Sequence, residues 1–474
     1  MRSEYRGASA RRWDTAAPAR SVNACAGLLV AALLAPAHTA QGQGTDGRAA
    51  AADPVAVVAA FDRMTARVLW PGFTPRKTPL AFYDGERTVL VRHPAPPAGF
   101  VPVRGHPGFV ERAGRLAQVT ANSSDTIGGV MTGTVMPAPD GRTVRDHAGI
   151  AIHEVFHVFQ RARHPGWSAN EADAFTYPAT DIEGLAARRR EYALLRRALF
   201  ARDKGDAACH ATIALHERRQ RFARMDAAHA AYERKSELNE GLAQYVQWRA
   251  LGASDAVAVP DSAPDPGAVR AHAYRAGPAW GRLLDRFAPA WRDTLERRDS
   301  LSLDDLLQRA IGWVETERPQ CGLTNEERAR IDDGAARAAT HLGLSLQLAL
   351  EGFERQPGPR LEIDASAALL MPMGFDPLNV ARVGGSDVLH RRYVQVGNAR
   401  GQLEVIDRNS LTIGAGAHPL FNGVRRFVVT GLEAGFSVRT VGDTAIISAR
   451  GVTGRFAGAR VERAGDTTRV VLAP

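Results

Sequence analysis

The segment that follows the N-terminal region begins with one helical pattern and continues with short strand-like runs. Apolar residues recur at helical spacing from Pro54 to Trp70, and the Pro71-Gly72 pair ends the pattern. Runs rich in β-branched and aromatic residues follow at positions 81–83, 88–91 and 129–136, separated by Gly and Pro clusters. These patterns predict a strand-rich unit over residues 54–145.

The pattern changes twice more along the chain. From Asp146 to about position 355, Ala, Leu, Arg and Glu dominate with breaks at Pro and Gly, which predicts a helical unit over residues 146–356. After Pro357 the chain alternates Val, Thr and Arg with Gly turns, which predicts a β-rich unit over residues 357–474. No internal repeat is visible, and the predicted fold class is α+β.

The N-terminus has the layout of a secretory signal peptide. Basic residues precede the apolar run 26–35, and small residues follow it through Ala40. We therefore expect a leader over residues 1–40, a flexible linker over 41–53, and export to the periplasm or the extracellular space. The Arg11-Arg12 pair leaves a twin-arginine route open. The apolar run is too short to span a membrane, so we expect no stable span after leader removal.

Composition excludes several classes of protein. The chain has 474 residues, of which 45% are hydrophobic and 23% charged, so it is neither disordered nor a small disulfide scaffold. The net charge of +9 comes from arginines dispersed along the chain. Because they form no dense basic stripe, we expect no nucleic-acid partner. The densest group, Arg188 to Arg190 with Arg196 and Arg197, is interpreted as a solvated helix face. Oligomeric state is left open.

Cysteine usage leaves one question open. Cys25 would leave with the leader, so Cys209 and Cys321 remain. An exported protein can form a disulfide from such a pair, but two isolated cysteines carry no spacing signature. Whether they pair is not decided by the sequence.

The first candidate for chemistry is an H-E-x-x-H pattern formed by His153, Glu154 and His157. Residues four apart on a helix lie one turn above each other, so both imidazoles can face one metal ion with the glutamate beside it. Asp146 can cap the start of this helix, and Pro165 follows its end. An ordinary half-buried histidine pair is the alternative interpretation.

A catalytic zinc site needs a third protein ligand. The later segment Leu238-Asn-Glu-Gly-Leu-Ala carries Glu240 off the apolar stripe of its own predicted helix. Glu237 lies about one turn earlier and is the rival ligand. An ordinary surface glutamate is the alternative for either position.

The H-E-x-x-H pattern and the N-E-G-x-A pattern at positions 239–243 together resemble the gluzincin metallopeptidases, the group that includes thermolysin and the aminopeptidase N family. The resemblance is confined to short motifs within about residues 128–290, and it implies a thermolysin-like core in which one Zn²⁺ is held by His153, His157 and Glu240. The segment Tyr274-Arg-Ala-Gly277 is similar to the Y-x-x-G segment of the aminopeptidase N family, which implies that Tyr274 stabilises an oxyanion. A packing role for Tyr274 is the alternative.

Some positions depart from these families. The segment Gly128–Gly133 corresponds to a glycine-rich substrate-gripping strand, yet it lacks the acidic residue that binds a substrate amine. Gln244 stands where thermolysin has an aspartate that orients a zinc histidine. We expect Asp173 or Glu171 to supply that support. His341, His390 and His418 are isolated and are assigned no site.

The expected function is hydrolysis of peptide bonds in a peptide or protein substrate. Zinc would acidify a water molecule, Glu154 would act as general base, and Tyr274 would stabilise the developing charge. Two alternatives remain at this point: a non-catalytic binding protein with the same fold, and a zinc hydrolase that acts on a non-peptide amide or ester. Substrate sequence and endo- or exopeptidase action are not predicted.

Overall fold

The structure is a computed structural model that describes residues 52–119, 121–137, 141–252, 265–312, 321–376 and 379–474. Its described strands form three sheets and its helices occupy the middle of the chain, so the fold is mixed α+β, as predicted. The predicted leader, Cys25 and nearly all of the predicted linker lie outside the described residues. In the described part of the chain, no helix is both long and apolar enough to cross a bilayer.

The first unit combines one helix with a six-stranded sheet. Helix α1 (Pro54–Met64) begins where the Asp53 carboxylate accepts hydrogen bonds from two backbone amides of the first turn. The sheet has the order β3-β4-β2-β1-β6-β5, and its β1–β6 pair is parallel. Its strands are β1 (Leu80–Tyr83), β2 (Arg87–Val91), β3 (Val101–Pro102), β4 (Phe109–Ala113), β5 (Ser123–Ile127) and β6 (Val130–Val135).

The segment Gly128–Gly133, which corresponds in sequence to a substrate-gripping strand, is a turn followed by an inner strand. Gly128 and Gly129 have φ angles of 54° and 81° and form the turn that joins β5 to β6. Strand β6 then lies inside the sheet between β1 and β5, and β5 is the edge strand at this end of the sheet. An extended ligand at this edge would therefore contact β5, not the glycine-rich segment.

Helix α2 (Val144–Arg163) packs across β6. Thr143 and Asp146 cap it reciprocally, so Asp146 is the partner in a capping box while Thr143 is the N-cap. A Cβ at Gly133 of β6 would lie 3.2 Å from a Val155 methyl group, which shows how closely strand and helix approach. Helix α7 covers the other side of α2 and encloses it.

The helical unit continues from α2 through nine further helices in the described part of the chain. Between α6 and α7 the helix widens into one π-helical turn, Glu237–Gly241, and a 3-10 turn, Val269–His272, leads into α8. Two other short 3-10 helices are Pro75–Lys77 and Pro165–Trp167. The helices are α3 (Ala172–Thr176), α4 (Ile182–Phe200), α5 (Lys204–Ala223), α6 (Ala227–Ser236), α7 (Leu242–Leu251), α8 (Ala273–Phe287), α9 (Trp291–Arg297), α10 (Leu303–Ile311) and α11 (Asn325–Glu354).

The arginine group on α4 is not a solvated face, and that prediction was wrong. Arg188 and Arg190 are buried, and the other three arginines of the group are half-buried. Arg188 donates to Glu233 at 2.7 Å, and Arg190 donates to Glu217 at 2.8 Å. The reason is that α5, α8 and α11 all pack on α4, and carboxylates on α5, α6 and α11 neutralise its cations inside the unit.

A disulfide joins Cys209 on α5 to Cys321, just before α11. The two residues are separated by 112 positions in the sequence, so the bond closes a long loop. The question that the sequence left open is thereby answered in favour of pairing.

The C-terminal unit is a sandwich of two sheets that share one apolar core. The sheets have the orders β18-β19-β7-β14-β13-β10-β9 and β15-β16-β17-β12-β11-β8. The strands are β7 (Arg360–Asp364), β8 (Met371–Phe375), β9 (Val380–Gly384), β10 (Asp387–His390), β11 (Tyr393–Asn398), β12 (Gly401–Ile406), β13 (Ser410–Gly414), β14 (Val424–Val429), β15 (Ser437–Val441), β16 (Thr444–Ala449), β17 (Val452–Ala457), β18 (Ala459–Ala464) and β19 (Thr467–Leu472).

The sandwich contacts the helical unit at the short helix α3. Phe175 of α3 joins the apolar core of the sandwich, with its ring 5.1 Å from that of Phe375. His418 Nε2 lies 2.9 Å from the Ala172 carbonyl oxygen. Of the other isolated histidines, His390 is buried and its pKa is lowered to about 3 by burial, whereas His341 is exposed.

Candidate metal centre

Three side chains from two separate parts of the chain converge on one buried point. His153 Nε2 and His157 Nε2 lie 3.0 Å apart, and Glu240 Oε2 lies 3.6 Å from the first and 3.3 Å from the second. The three residues are between 1% and 4% exposed. Among the described residues, they form a group of His and Glu side chains that could hold a metal ion.

The histidines reach this point because of their spacing on α2. A separation of four residues places both rings on the same face, and the apolar residues of the helix bury its other faces. Glu240 approaches from the wide turn between α6 and α7, which lies across α2 from the sheet. The side of α2 that carries the two histidines therefore faces the helices, and its opposite side packs on β6.

A glycine pair allows the wide turn to approach α8. A Cβ on Gly241 would lie 2.7 Å from Gly277 Cα, and a Cβ on Gly277 would lie 2.3 Å from Gly241 Cα. Only hydrogen atoms fit at this backbone contact. Gly241 follows Glu240 directly, and Gly277 lies three residues after Tyr274. The contact therefore brings the glutamate and the tyrosine together beside the histidines.

Gln160 determines which nitrogen of His157 faces the metal position. Its amide nitrogen lies 2.9 Å from the carbonyl oxygens of both Leu238 and Asn239 and donates to them. Its amide oxygen must then accept from His157 Nδ1, at 2.8 Å. With the ring proton on Nδ1, the lone pair of Nε2 is directed at the metal position.

The two oxygens of Glu240 have different surroundings. Oε1 accepts hydrogen bonds from Arg270 Nη2 and, at 3.1 Å, from Asn239 Nδ2. Oε2 has no hydrogen-bond partner among the described residues and faces the histidines. Burial alone would raise the pKa of Glu240, but the Arg270 guanidinium and His157 hold it well below its usual range. Glu240 thus presents one anionic oxygen to the metal position.

Arg270 is itself held by a second carboxylate. Its Nη1 donates to Glu171 Oε1, and the Tyr232 hydroxyl donates to Glu171 Oε2 at 3.1 Å. Burial opposes the charge of Arg270, yet Glu240 and Glu171 hold its pKa well above its usual value. Arg270 therefore stays protonated and links Glu240 to α3.

Glu154 lies beside the three candidate ligands with its carboxylate unpaired. Neither of its oxygens has a hydrogen-bond partner in the part of the chain that the structure describes, although the side chain is only 1% exposed. Burial raises the pKa of Glu154 to about 8; the His153 charge acts against this rise and the Glu240 charge adds to it. A buried carboxyl group without a protein partner is available to a ligand or to water.

Tyr274 lies next to His153. The two rings are parallel within 3°, with centroids 5.8 Å apart. The Tyr274 hydroxyl is buried and has no hydrogen-bond partner within the described ranges. Burial and the nearby Glu240 charge raise its pKa well above the usual value, so the hydroxyl keeps its proton. It is a hydrogen-bond donor that faces the site.

The other sequence candidates have different positions. Glu237, the rival ligand, lies 2.5 Å from Arg218 and belongs to the buried ion-pair network instead of the histidine pair. Neither Asp173 nor Glu171 supports a histidine: Asp173 accepts from Asn170, and Glu171 pairs with Arg270. Neither Gln160 nor Arg270 is identified from the sequence as part of the site. The position of Gln160, about one turn after His157 on the same helix, is a feature of the sequence that could have indicated it. No local feature of the sequence indicates Arg270.

The donor set fits a zinc ion. Tetrahedral zinc with bonds of about 2.0–2.1 Å separates its ligand atoms by about 3.3–3.4 Å. The three separations of 3.0, 3.3 and 3.6 Å bracket this value. His153, His157 and Glu240 would hold the ion, and two nitrogens with one carboxylate oxygen are donors that zinc accepts.

The chain has no match among protein-family models, curated proteins or solved structures at the significance required in these comparisons. Arguments about function therefore depend on the residues themselves.

Proposed function

We propose that this protein is a zinc-dependent metallopeptidase that hydrolyses peptide bonds in peptide or protein substrates. One observation carries the proposal: two histidines and one glutamate converge, and a second carboxylate, that of Glu154, lies unpaired beside them. Structural zinc sites are usually closed by four protein ligands, whereas catalytic sites keep three and leave one position open. The described residues offer three ligands, which favours catalysis.

The fold supports a gluzincin interpretation of these residues. A sheet with a free edge strand, β5, packs on the helix that carries H-E-x-x-H, and a later helical turn carries Glu240. We infer a thermolysin-like core from this order together with the motif resemblance. The disulfide favours an oxidising compartment, which agrees with the proposed export.

The protein's own residues divide the chemical work. A zinc ion would supply Lewis acidity that acidifies a bound water and polarises the scissile carbonyl. Glu154 accepts the proton of the attacking water and delivers it to the leaving amine. Tyr274 donates a hydrogen bond to the carbonyl oxygen as negative charge develops there. Gln160 maintains the His157 tautomer, and Arg270 maintains the Glu240 orientation.

The burial of the site favours the non-catalytic binding protein as a second candidate. Glu154 and Glu240 are each 1% exposed, and access for a peptide requires some opening of the units around them. The unpaired carboxylate of Glu154 weighs against this candidate, because a purely structural site gains nothing from a buried acid without a partner.

The experiment compares the wild-type protein with Glu154→Gln, which has the same shape but no basic oxygen. We expect about one zinc per chain in both proteins and a loss of about 10²–10⁴-fold in peptide hydrolysis in the variant. Full activity in the variant would contradict the mechanism. Zinc binding with no hydrolysis by the wild type would favour the binding protein, and turnover of small esters or amides alone would favour a non-peptide hydrolase.

A further inference from the structure

A cavity of about 610 Å³ lies between the helical unit and the C-terminal sandwich. Five parts of the chain line it: the chain around α3, one residue of α6, the chain before α8, the middle of α11, and strand β9. Its apolar lining includes Phe175, Leu342, Leu346 and Val380, and the Tyr232 ring adds to it. This volume lies within the range of about 300–1,000 Å³ that is typical of ligand sites.

The cavity reaches the metal centre through a shared residue. Arg270 lines the cavity and also donates to the Glu240 oxygen that faces away from the histidines. Its Nε has no hydrogen-bond partner among the described residues, although Arg270 is 6% exposed. One buried donor next to the cavity is therefore left over for a ligand.

Strand β9 presents to the cavity a sheet edge that no further described strand pairs with. It is the last strand of the seven-stranded sheet, and six consecutive residues from Val380 to Gly385 line the cavity. Arg391 N donates to Asn379 O, and the register pairs Val380 with His390, so the backbone groups of Val380 point away from β10. Arg382, two residues later, has the same orientation.

The backbone N–H and C=O groups of Val380 and Arg382 that point away from β10 have no backbone hydrogen-bond partners within the described ranges. Residues two apart on a strand repeat at about 6.8 Å, a spacing that another extended chain matches with its own alternating donors and acceptors. A small molecule does not reproduce such a row. The free edge and the apolar cavity beside it thus fit the same kind of ligand, an extended polypeptide with an apolar side chain.

We propose that β9 is a docking edge for polypeptide substrates, at which an extended segment adds as a further strand and inserts an apolar side chain into the cavity. The proposal rests on the proposed peptidase function and assigns part of substrate recognition to the C-terminal sandwich. Hydrogen bonds to the backbone give affinity without sequence preference, and the cavity selects apolar residues.

The test removes one outward donor. Arg382→Pro deletes the N–H that points away from β10, and the ladder between β9 and β10 does not use that group. Arg382→Ala is the matched control, because it removes the same side chain and keeps the N–H. All proteins carry Glu154→Gln and zinc, and fluorescence anisotropy measures binding of fluorescein-labelled casein, a polypeptide without stable structure.

We expect casein to bind Arg382→Pro about tenfold more weakly than the parent, whereas Arg382→Ala binds like the parent. A second variant, Gly343→Trp, fills the cavity from α11, where an added Cβ meets nothing within 4 Å, and should also weaken binding. Equal casein binding by the parent, Arg382→Pro and Gly343→Trp would overturn the proposal, as would no binding by the parent.

The binding measurement also separates this proposal from the proposed function. If wild-type protein hydrolyses no peptide but Arg382→Pro still loses casein binding, the peptidase function fails and the docking edge stands. If wild-type protein hydrolyses casein and both variants bind it like the parent, the function stands and the docking edge fails.

Discussion

Replacing Gly277 by alanine tests whether the glycine contact sets the position of Glu240. The new Cβ would lie 2.3 Å from Gly241 Cα and 2.8 Å from the Gly241 carbonyl carbon. Carbon atoms pack about 3.5 Å apart, so α8 and the wide turn must separate by roughly 1.2 Å. Both sides of the contact are backbone, and no side-chain rotation relieves the overlap.

Gly277→Ala has two opposing effects on the free energy of unfolding and one effect on zinc affinity. Overpacking costs about 1–3 kcal/mol, and alanine returns about 0.5–1 kcal/mol of helix propensity, so we expect a net loss of about 1–2 kcal/mol in the free energy of unfolding. A shift of about 1 Å at Glu240 is half the length of a zinc–oxygen bond of about 2.0–2.2 Å. We therefore expect zinc affinity to fall about 100-fold.

Competition with a zinc-chelating dye measures the affinity, and thermal unfolding with and without zinc measures the stability. Gly343→Ala is the control, since Gly343 is also helical but an added Cβ there meets nothing within 4 Å. The control should bind zinc like the wild type and be slightly more stable. If Gly277→Ala binds zinc as tightly as Gly343→Ala, the glycine contact does not position Glu240.

Three other features of the fold predict measurable changes. Gln160→Leu removes the acceptor of His157 Nδ1 and should lower zinc affinity about 10–100-fold in the dye competition; unchanged affinity would contradict the tautomer assignment. Burial alone would raise the pKa of Asp304, but Arg218 holds it well below the unfolded value of about 3.9, so its stabilising effect is complete above that pH and is lost as the pH falls further. Asp304→Asn should therefore reduce the acid dependence of stability in urea titrations below about pH 4, and an unaltered pH dependence would refute this. Replacing both disulfide cysteines by serine should cost about 2–4 kcal/mol, and reductant should lower the melting temperature of the wild type alone.

The residues that face the metal position could be predicted because each obeys a local rule. His153 and His157 share a face through their spacing on one helix, and that spacing is visible in the sequence. The resemblance of its neighbours to a known motif favours Glu240 over Glu237. In the structure Glu240 lies by the histidines and Glu237 pairs with Arg218, although an isolated helical pattern does not distinguish the two glutamates.

The supporting residues could not be predicted, because their partners are distant in the sequence. Arg270 meets Glu171 and Glu240 only after three helices have packed together. The arginines of α4 have the pattern of a solvated face, yet they are buried or half-buried, and Arg188 and Arg190 pair with carboxylates on α6 and α5. Charge alone does not distinguish an exposed arginine from one that is neutralised inside a helical unit.

The second motif contains two kinds of residue with different physical roles. In the proposed site Glu240 would supply a donor atom, so its identity would depend on the metal. Asn239 and Gly241 position that glutamate. The Asn239 side-chain amide donates a hydrogen bond to the Glu240 oxygen that faces away from the histidines, and Gly241 allows α8 to approach closely. Any helix that must present a carboxylate this close to another helix meets the same requirements. Under the proposed function the motif would therefore support the metal centre and its chemistry, whereas the choice of substrate would come from surfaces outside the motif, such as the edges of β5 and β9.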